Sequence, residues 1–316
     1  MADFSIYLFW TALITAIIAS GLYAIYVASA IVGSRRMAAE TGHGTVTVSS
    51  GPPGRPNAGI GRIATAFAVL TAIPLVAWIP VRWAAAGHPP LSNMYEFTIA
   101  FAVGIVLAYL AFEVQTAQRR IGLLALPLAA AMLGAATLFP SGIDPLEPAL
   151  QNPTLMAVHV SVMMLAYAVV TVAFCGAVVY LIQGGEGRRR FKSLPTPEAA
   201  GDLAHKAAII GTPLMVLGIS LGAWWANSAW GRYWGWDPKE TSALVIFLAL
   251  AAYFHARSGT GSVAGAPGIR TIIPERIRRG WRPDPMWWIV VAFAAILFSY
   301  FVVNLWIDGL HSYAGV

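Results

Sequence analysis

Long apolar stretches, separated by short polar ones, recur along the whole chain. The hydrocarbon core of a bilayer is roughly 30 Å thick, and a helix needs about 20 apolar residues to cross it. This pattern predicts an all-α integral membrane protein, a polytopic bundle of about eight transmembrane helices. The eight segments lie at about 5–32, 62–84, 95–116, 121–139, 156–182, 207–226, 240–256 and 287–307.

Composition supports this interpretation. Hydrophobic residues make up 58% of the 316 positions and charged residues 11%, whereas an ordinary soluble domain carries about 25% charged residues. We interpret residues 1–316 as a single polytopic membrane domain. The first apolar segment is too long for a signal peptide and has Asp3 where a basic n-region would stand, so we predict that it is a helix and is not removed.

The basic residues predict the orientation. Seventeen of the 20 Lys and Arg residues fall in one set of alternating loops, and Arg82, Arg232 and Lys239 fall in the other. Because cytoplasmic loops are enriched in Lys and Arg, both termini are expected on the outer face of the plasma membrane. The loop 33–60 is rich in Gly, Ser, Thr and Pro and is predicted to be flexible and cytoplasmic. This distribution explains the net charge of +6 without a nucleic-acid partner.

An aromatic segment at 224–240 stands between the sixth and seventh predicted helices, on the outer side. It holds five of the chain's twelve tryptophans in seventeen residues. Tryptophan is enriched at membrane interfaces for amphipathic reasons alone, so an aromatic belt is one interpretation. Two glycines interrupt the aromatics and permit close approach of backbone to a ligand, which favours a platform for a large planar ligand. Its aromatic residues are Trp224, Trp225, Trp230, Tyr233, Trp234 and Trp236.

The end of this segment reads Asp237-Pro238-Lys239-Glu240. Asp as N-cap, Pro at the first helical position and Glu three residues after the cap form a capping box that begins the seventh helix. A direct ligand role for Asp237 is the alternative. Arg232 and Lys239 are two of only three basic residues predicted on the outer side, and they could pair with anionic groups of a ligand, such as propionates.

Two of the six histidines are expected at the depth of the aromatic segment. His159 lies near the outer start of the fifth helix, and His311 lies just past the outer end of the eighth. Two neutral imidazoles from separate helices can flank a planar ring and hold haem iron. The alternative for each is a hydrogen-bonded interface residue. His255, toward the inner end of the seventh helix, is a functional candidate because ionisable residues are costly inside a membrane.

Other chemistries are weakly supported. The single cysteine, Cys175, lies in the middle of a predicted span, which excludes an internal disulfide, a C-x-x-C pair and a cysteine-based zinc site. The sequence contains no phosphate-binding loop and no H-E-x-x-H motif. No catalytic acid or base is therefore assigned.

Together these residues resemble a known family. The run W-A-N-S-A-W-G-R-Y-W-G-W-D-P-K-E is similar to the tryptophan-rich WWD signature of haem-handling proteins. Its D-P-K-E ending resembles the CcsA (ResC-like) family of cytochrome c biogenesis proteins, labelled CcsB in some actinobacteria. The segments G-H-P-P-L-S-N-M-Y-E, H-V-S-V-M-M-L-A-Y and G-L-H-S-Y also resemble that family, from about residue 82 to the C-terminus.

The resemblance implies haem b as substrate and ligand. His159 and His311 would be the outer axial ligands of the iron, the segment 224–240 would hold the ring, and His255 would be a histidine of an inner haem site. The implied partners are a ResB-like membrane protein, an apocytochrome c with its C-x-x-C-H motif, and a thiol-reducing protein. The chain would be the haem-handling half of a cytochrome c synthase.

Two further functions stay open at this point. One is a haem exporter or chaperone that forms no thioether bonds, since the WWD signature alone does not exclude it. The other is a structural membrane subunit whose tryptophans only anchor it. The sequence leaves the route of haem entry and the roles of His88 and His205 undetermined.

Overall fold

A computed structural model describes residues 1–40, 55–143, 153–261 and 284–311. Within these ranges the secondary structure is helical, without strands, and eight helices are long and apolar enough to cross a membrane. The predicted all-α polytopic bundle is confirmed. The helices are α1 (Ala2–Glu40), α2 (Ala58–Ala86), α3 (Met94–Thr116), α4 (Gly122–Ala136, after a 3-10 turn at Arg119–Ile121), α5 (Pro153–Gln183), α6 (Pro197–Trp230), α7 (Pro238–Gly261) and α8 (Met286–Leu297).

Helix α8 does not stop at Leu297. It continues through a π-helical turn at Phe298–Val302 into a last α-helical turn at Val303–Trp306. π turns shift the register of a helix and are frequent at functional sites. The end of α8 is therefore a candidate location for a functional site.

The aromatic segment differs from its predicted form. Helix α6 extends to Trp230, and Gly231 ends it with a left-handed φ of 72°, so the first part of the segment is helix and only 231–237 is loop. Its start is also earlier than predicted, because Thr196 caps the helix through its side chain and Pro197 occupies the first turn, a favourable combination. An N-terminal cap of this kind extends the helix beyond its apolar stretch.

The predicted loop 33–60 is shorter than expected. Helix α1 continues to Glu40 and α2 begins at Ala58, where Asn57 caps it. The remaining part of the flexibility prediction, residues 41–54, lies outside the described residues. The basic run R-I-R-R-G-W-R at 276–282, in the loop predicted between the seventh and eighth helices, also lies outside the described residues.

Helix α5 lies at the centre of the bundle, packed against α6 along most of its length and also against α3 and α8. Small residues allow this close packing: a Cβ on Gly176 would lie 2.8 Å from the carbonyl oxygen of Ala200, and one on Gly104 would lie 2.8 Å from the Cβ of Ala168. Membrane helices associate through such small residues. Helices α5, α6, α7 and α8 therefore meet closely enough to enclose a site at the end where α6 ends and α7 begins, which we call the tryptophan end.

A buried ion pair fixes the α2–α3 connection at the tryptophan end. Arg82 Nε donates to Glu96 Oε1 at 2.8 Å, and the two side chains are 1% and 0% exposed. Nη2 of Arg82 also donates to the carbonyl oxygens of Ser141 and Gly142, and Ser92 donates to Glu96 Oε2. The pair thus ties the α2–α3 connection to the segment that follows α4.

We expect Arg82→Met to lower the free energy of unfolding by about 3–5 kcal/mol, because it leaves the Glu96 carboxylate buried without its partner. Thermal unfolding of the purified protein in detergent measures the effect. The matched control is Lys206→Met, which removes the exposed Lys206–Asp202 pair and is expected to cost about 0–1 kcal/mol. Equal melting temperatures for the two variants would contradict the structural role of Arg82.

The opposite end has its own buried network around Glu113. Its Oε1 accepts hydrogen bonds from Thr65 at 2.6 Å and from Arg119 Nε at 2.9 Å. Its Oε2 accepts from Tyr23 at 2.8 Å and from Tyr109. Both carboxylate oxygens are satisfied, and a fully bonded buried network favours one unique packing, so we assign this cluster to holding α1, α2 and α3 together.

Candidate functional site

A pocket opens at the tryptophan end, between α5, α6, α7 and α8. Its volume is about 1030 Å³ when the open mouth is included. Its walls are largely apolar, with a small number of polar side chains, as is usual for a small-molecule site. The lining residues used below are His159, Met163, Gly222, Trp225, Tyr233, Trp234, Lys239, Glu240, Tyr300, Asn304 and His311.

His159 is held by the facing helix. Its Nδ1 donates to the carbonyl oxygen of Gly218 at 2.9 Å, because a carbonyl only accepts and the bonded nitrogen must then carry the proton. The Cε1 edge of the ring lies against Gly222, where an added Cβ would come within 2.5 Å of His159 Cε1. Glycine at this position of α6 is therefore what lets the imidazole enter the pocket wall.

His311 is held by the start of α7. Its Nδ1 lies 2.7 Å from Asp237 Oδ2, and the backbone N–H of Leu310 donates to Asp237 Oδ1 at 2.6 Å. A Cβ on Gly309 would lie 2.6 Å from that same Oδ1, so the turn before the histidine needs a glycine. Gly309, Leu310 and His311 thus pack as one turn against the Asp237 carboxylate.

The charge states follow from this geometry. The pKa of His311 lies below its ordinary value because burial disfavours the imidazolium, an effect that the hydrogen bond to Asp237 offsets only in part. Burial alone would raise the pKa of Asp237, but hydrogen bonds from His311 and from the backbone N–H groups of Leu310 and Lys239 bring it below its ordinary value. At neutral pH the pair is a neutral imidazole that donates to a carboxylate, which leaves the lone pair on Nε2.

Two indoles join the histidines. The ring of Trp225 is parallel to His159 at 6.2 Å between centroids and lies 5.8 Å from His311. Trp230, one turn and a half further along α6, contacts both Trp225 and His311 edge to face, at 4.7 and 4.9 Å. Residues from α5, α6 and the segment after α8 are thereby brought into one cluster, which includes both His159 and His311.

The predicted capping box is present and has a second use. Glu240 Oε2 accepts the backbone N–H groups of Gly235 and Asp237, and Asp237 Oδ2 accepts that of Lys239. Trp236, which lies between Gly235 and Asp237, has a left-handed φ of 59°, which is uncommon for a residue other than glycine. The capping interpretation of Asp237 is correct, and the same carboxylate also holds His311.

Some of the predicted aromatic and basic residues line the pocket, and others do not. Tyr233 and Trp234 line it. Trp224 and Trp236 do not line it, and their side chains are 60% and 69% exposed. Adjacent residues on a helix point about 100° apart, so Trp225 enters the core while Trp224 faces away from it. Lys239 lines the pocket and Arg232 does not.

Three other histidines that the structure describes, His255, His205 and His88, lie elsewhere. His255 is exposed on α7, fifteen residues beyond Glu240, which is about 22 Å along the helix axis, so it cannot share a ligand atom with the pocket. His205 on α6 has its Nδ1 3.0 Å from the hydroxyl of Tyr253 on α7. His88 bonds the carbonyl oxygen of Pro89 in the α2–α3 turn and does not line the pocket.

Sequence reasoning missed part of the pocket wall. Met163 and Tyr300 line it, and the Sδ of Met163 would clash with any Cβ on Gly218. Asn304, in the α-helical turn that directly follows the π-helical turn, also lines it, with its Nδ2 donating to the Tyr300 carbonyl oxygen at 2.7 Å. In apolar spans nothing in the residue pattern distinguishes a pocket-lining face from a lipid-facing one, so these residues carried no signal.

Comparisons with known proteins identify the family of this chain. The family described as "Cytochrome C assembly protein" matches residues 91–311. The cytochrome c biogenesis protein CcsA of Pyropia yezoensis is 32% identical over 300 residues, covering 81% of this chain and 88% of its own length. That of Microcystis aeruginosa is 32% identical over 309 residues, covering 81% and 87%.

Among solved structures, "Cytochrome c Heme Lyase CcmF" superposes with a TM-score of 0.58 at 17% identity. The match covers 93% of this chain and 46% of that one, so it shows a shared fold over about half of the larger protein. The matched family region includes His159, His311, the aromatic segment and Asp237. The chain therefore belongs to the CcsA family of cytochrome c biogenesis proteins and is a multi-pass membrane component of cytochrome c maturation.

Proposed function

We propose that this protein binds haem b in the pocket at the tryptophan end, between His159 and His311, and presents it to apocytochrome c for covalent attachment. One observation carries the proposal: both histidines line the same pocket, and each is bonded through Nδ1 to a fixed acceptor. Histidines that ligate a metal characteristically donate their other N–H in this way, which orients the ring and fixes its tautomer.

The chemistry proposed is addition of two cysteine thiols of a C-x-x-C-H motif to the two vinyl groups of haem. Each addition forms one carbon–sulfur bond and moves the thiol hydrogen to the neighbouring vinyl carbon, so no oxidant or reductant is consumed. Both thiols come from the substrate, because Cys175 is fully buried. The protein contributes position: the histidines and indoles hold the ring, and proximity lowers the barrier.

The tryptophan end is assigned to the extracytoplasmic face of the plasma membrane. The distribution of Lys and Arg supports this assignment. A ResB-like membrane protein is the proposed partner, and a thiol-reducing protein is proposed to keep the apocytochrome cysteines reduced. His255, exposed on α7, is proposed to act at a separate inner haem site with that partner.

Co-expression with a ResB-like partner and an apocytochrome c tests this function against the exporter alternative. We expect covalent holocytochrome, detected by haem staining of denaturing gels. Haem that copurifies with the protein while no product forms would favour the exporter. Absence of haem from protein expressed in haem-replete cells would favour the structural subunit.

Gly222→Ala tests how His159 is placed. The added Cβ would lie 2.5 Å from His159 Cε1, so the imidazole must move, and we expect haem affinity to fall about tenfold, at the lower end of the effect of disturbing a ligand's support. Titration of the haem-free protein with haem, followed at the Soret band, measures the affinity. The control is Gly134→Ala in α4, where a Cβ meets nothing within 4 Å. Equal affinities for the two variants would contradict the placement.

A further inference from the structure

Lys239 is a cation on the pocket wall, in the first turn of α7. Its side chain is partly buried. Among the residues that the structure describes, no carboxylate oxygen lies within 4.0 Å of its Nζ, in contrast to Arg82, Arg119 and Lys206. Removing an ammonium group from water is costly unless a counter-charge replaces it, so this position calls for an anion.

The two nearest acidic residues in the sequence are committed to other donors. Asp237 accepts hydrogen bonds from His311, Leu310 N–H and Lys239 N–H. Glu240 accepts the backbone N–H groups of Gly235 and Asp237 through Oε2. Both carboxylates hold the loop in place, and neither has an oxygen within 4.0 Å of the Lys239 ammonium, on which Asp237 acts only at longer range.

The N-terminus of α7 adds to the positive electrostatic potential that Lys239 creates in the pocket. A helix of 24 residues carries partial positive charge at its first turn, where anions are stabilised. Lys239, Glu240 and Ala243, all from the first two turns of α7, line the pocket. The Lys239 ammonium and the N-terminus of α7 therefore both attract an anionic group of a ligand in the pocket.

We propose that Lys239 forms the subsite for a carboxylate of the bound porphyrin, and that Arg232 does not. This proposal rests on the proposed function and deepens it, since it assigns the part of the pocket that recognises the acidic edge of the ligand. Haem carries two propionates as its only anionic substituents. Arg232, the other basic residue of the loop, is exposed and lies outside the pocket lining.

The test compares haem with haem dimethyl ester, in which both propionates are neutral. Both are titrated into haem-free protein purified in detergent. The unmodified protein is expected to bind the diacid roughly ten- to a hundredfold more tightly, the range for a hydrogen bond to a charged group. Lys239→Gln is expected to lose that preference through weaker binding of the diacid, with the affinity for the ester unchanged.

Two matched variants make the result specific. Lys239→Arg keeps the charge and is expected to retain the preference, and Arg232→Gln removes an exposed charge of the same loop and is expected to retain it in full. Equal losses for diacid and ester in Lys239→Gln would overturn the subsite, as would loss of the preference in Arg232→Gln. Equal binding of the two porphyrins by unmodified protein would overturn the proposed subsite but not the proposed function. Binding of neither porphyrin would overturn the proposed function as well.

Discussion

Replacing His159 and His311 together by glycine is expected to abolish holocytochrome formation. The two rings line one pocket and contact the same indole, Trp225, so the double variant removes both proposed ligands of one iron. Loss of supporting residues around a metal site costs roughly 10–100-fold in affinity or activity, and loss of both ligands should exceed this. Haem staining of apocytochrome c co-expressed with the variant and its ResB-like partner measures the outcome.

Imidazole in the growth medium is the control for this double variant. The glycine substitutions leave space for two free imidazole molecules, which can replace the missing ligands, so partial recovery of holocytochrome is expected. A helix bundle that had failed to fold would not recover. Holocytochrome at the level of the unmodified protein, without imidazole, would rule out both histidines as necessary ligands.

Asp237→Asn is expected to reduce haem affinity by roughly 10–100-fold. The carboxylate now accepts from Leu310 N–H on one oxygen and from His311 and Lys239 N–H on the other. An amide has one oxygen and one NH2 group, so a donor would face either Leu310 N–H or the proton on His311 Nδ1. The imidazole would then turn or change tautomer, and the ligating nitrogen would be misplaced.

The matched control is Asp284→Asn. Asp284 also caps a helix, since its Oδ1 accepts the backbone N–H of Met286 at the start of α8, but it lies at the other end of the bundle. Both variants lose a capping carboxylate, and only Asp237→Asn loses the contact with a proposed ligand. Equal haem affinities for the two variants would show that Asp237 serves the helix alone.

The helices were predictable because the membrane imposes a single requirement, about 20 apolar residues for each crossing. The capping box at Asp237 and Glu240 was predictable because it depends only on local backbone donors. The meeting of His159 with His311 could be inferred from topology, since each stands at the same end of its span. These features depend on chain length, local spacing and charge distribution, which a sequence displays directly.

The inner arrangement of the pocket could not be predicted in the same way. In lipid, both faces of a helix are apolar, so hydropathy does not separate buried Trp225 from exposed Trp224. The approach of His159 to Gly222 and the bond between Asp237 and His311 depend on how helices pack across long sequence distances. The same reason explains why Lys239, and not Arg232, lines the pocket.

The most direct test of the central claim is the electron paramagnetic resonance spectrum of the purified ferric haem complex. If His159 and His311 ligate one iron, the spectrum of the unmodified protein is that of six-coordinate, low-spin haem. Each single glycine variant then shifts to high spin, and added imidazole restores low spin. A low-spin spectrum that persists unchanged in the double variant, without imidazole, would contradict ligation by these two histidines.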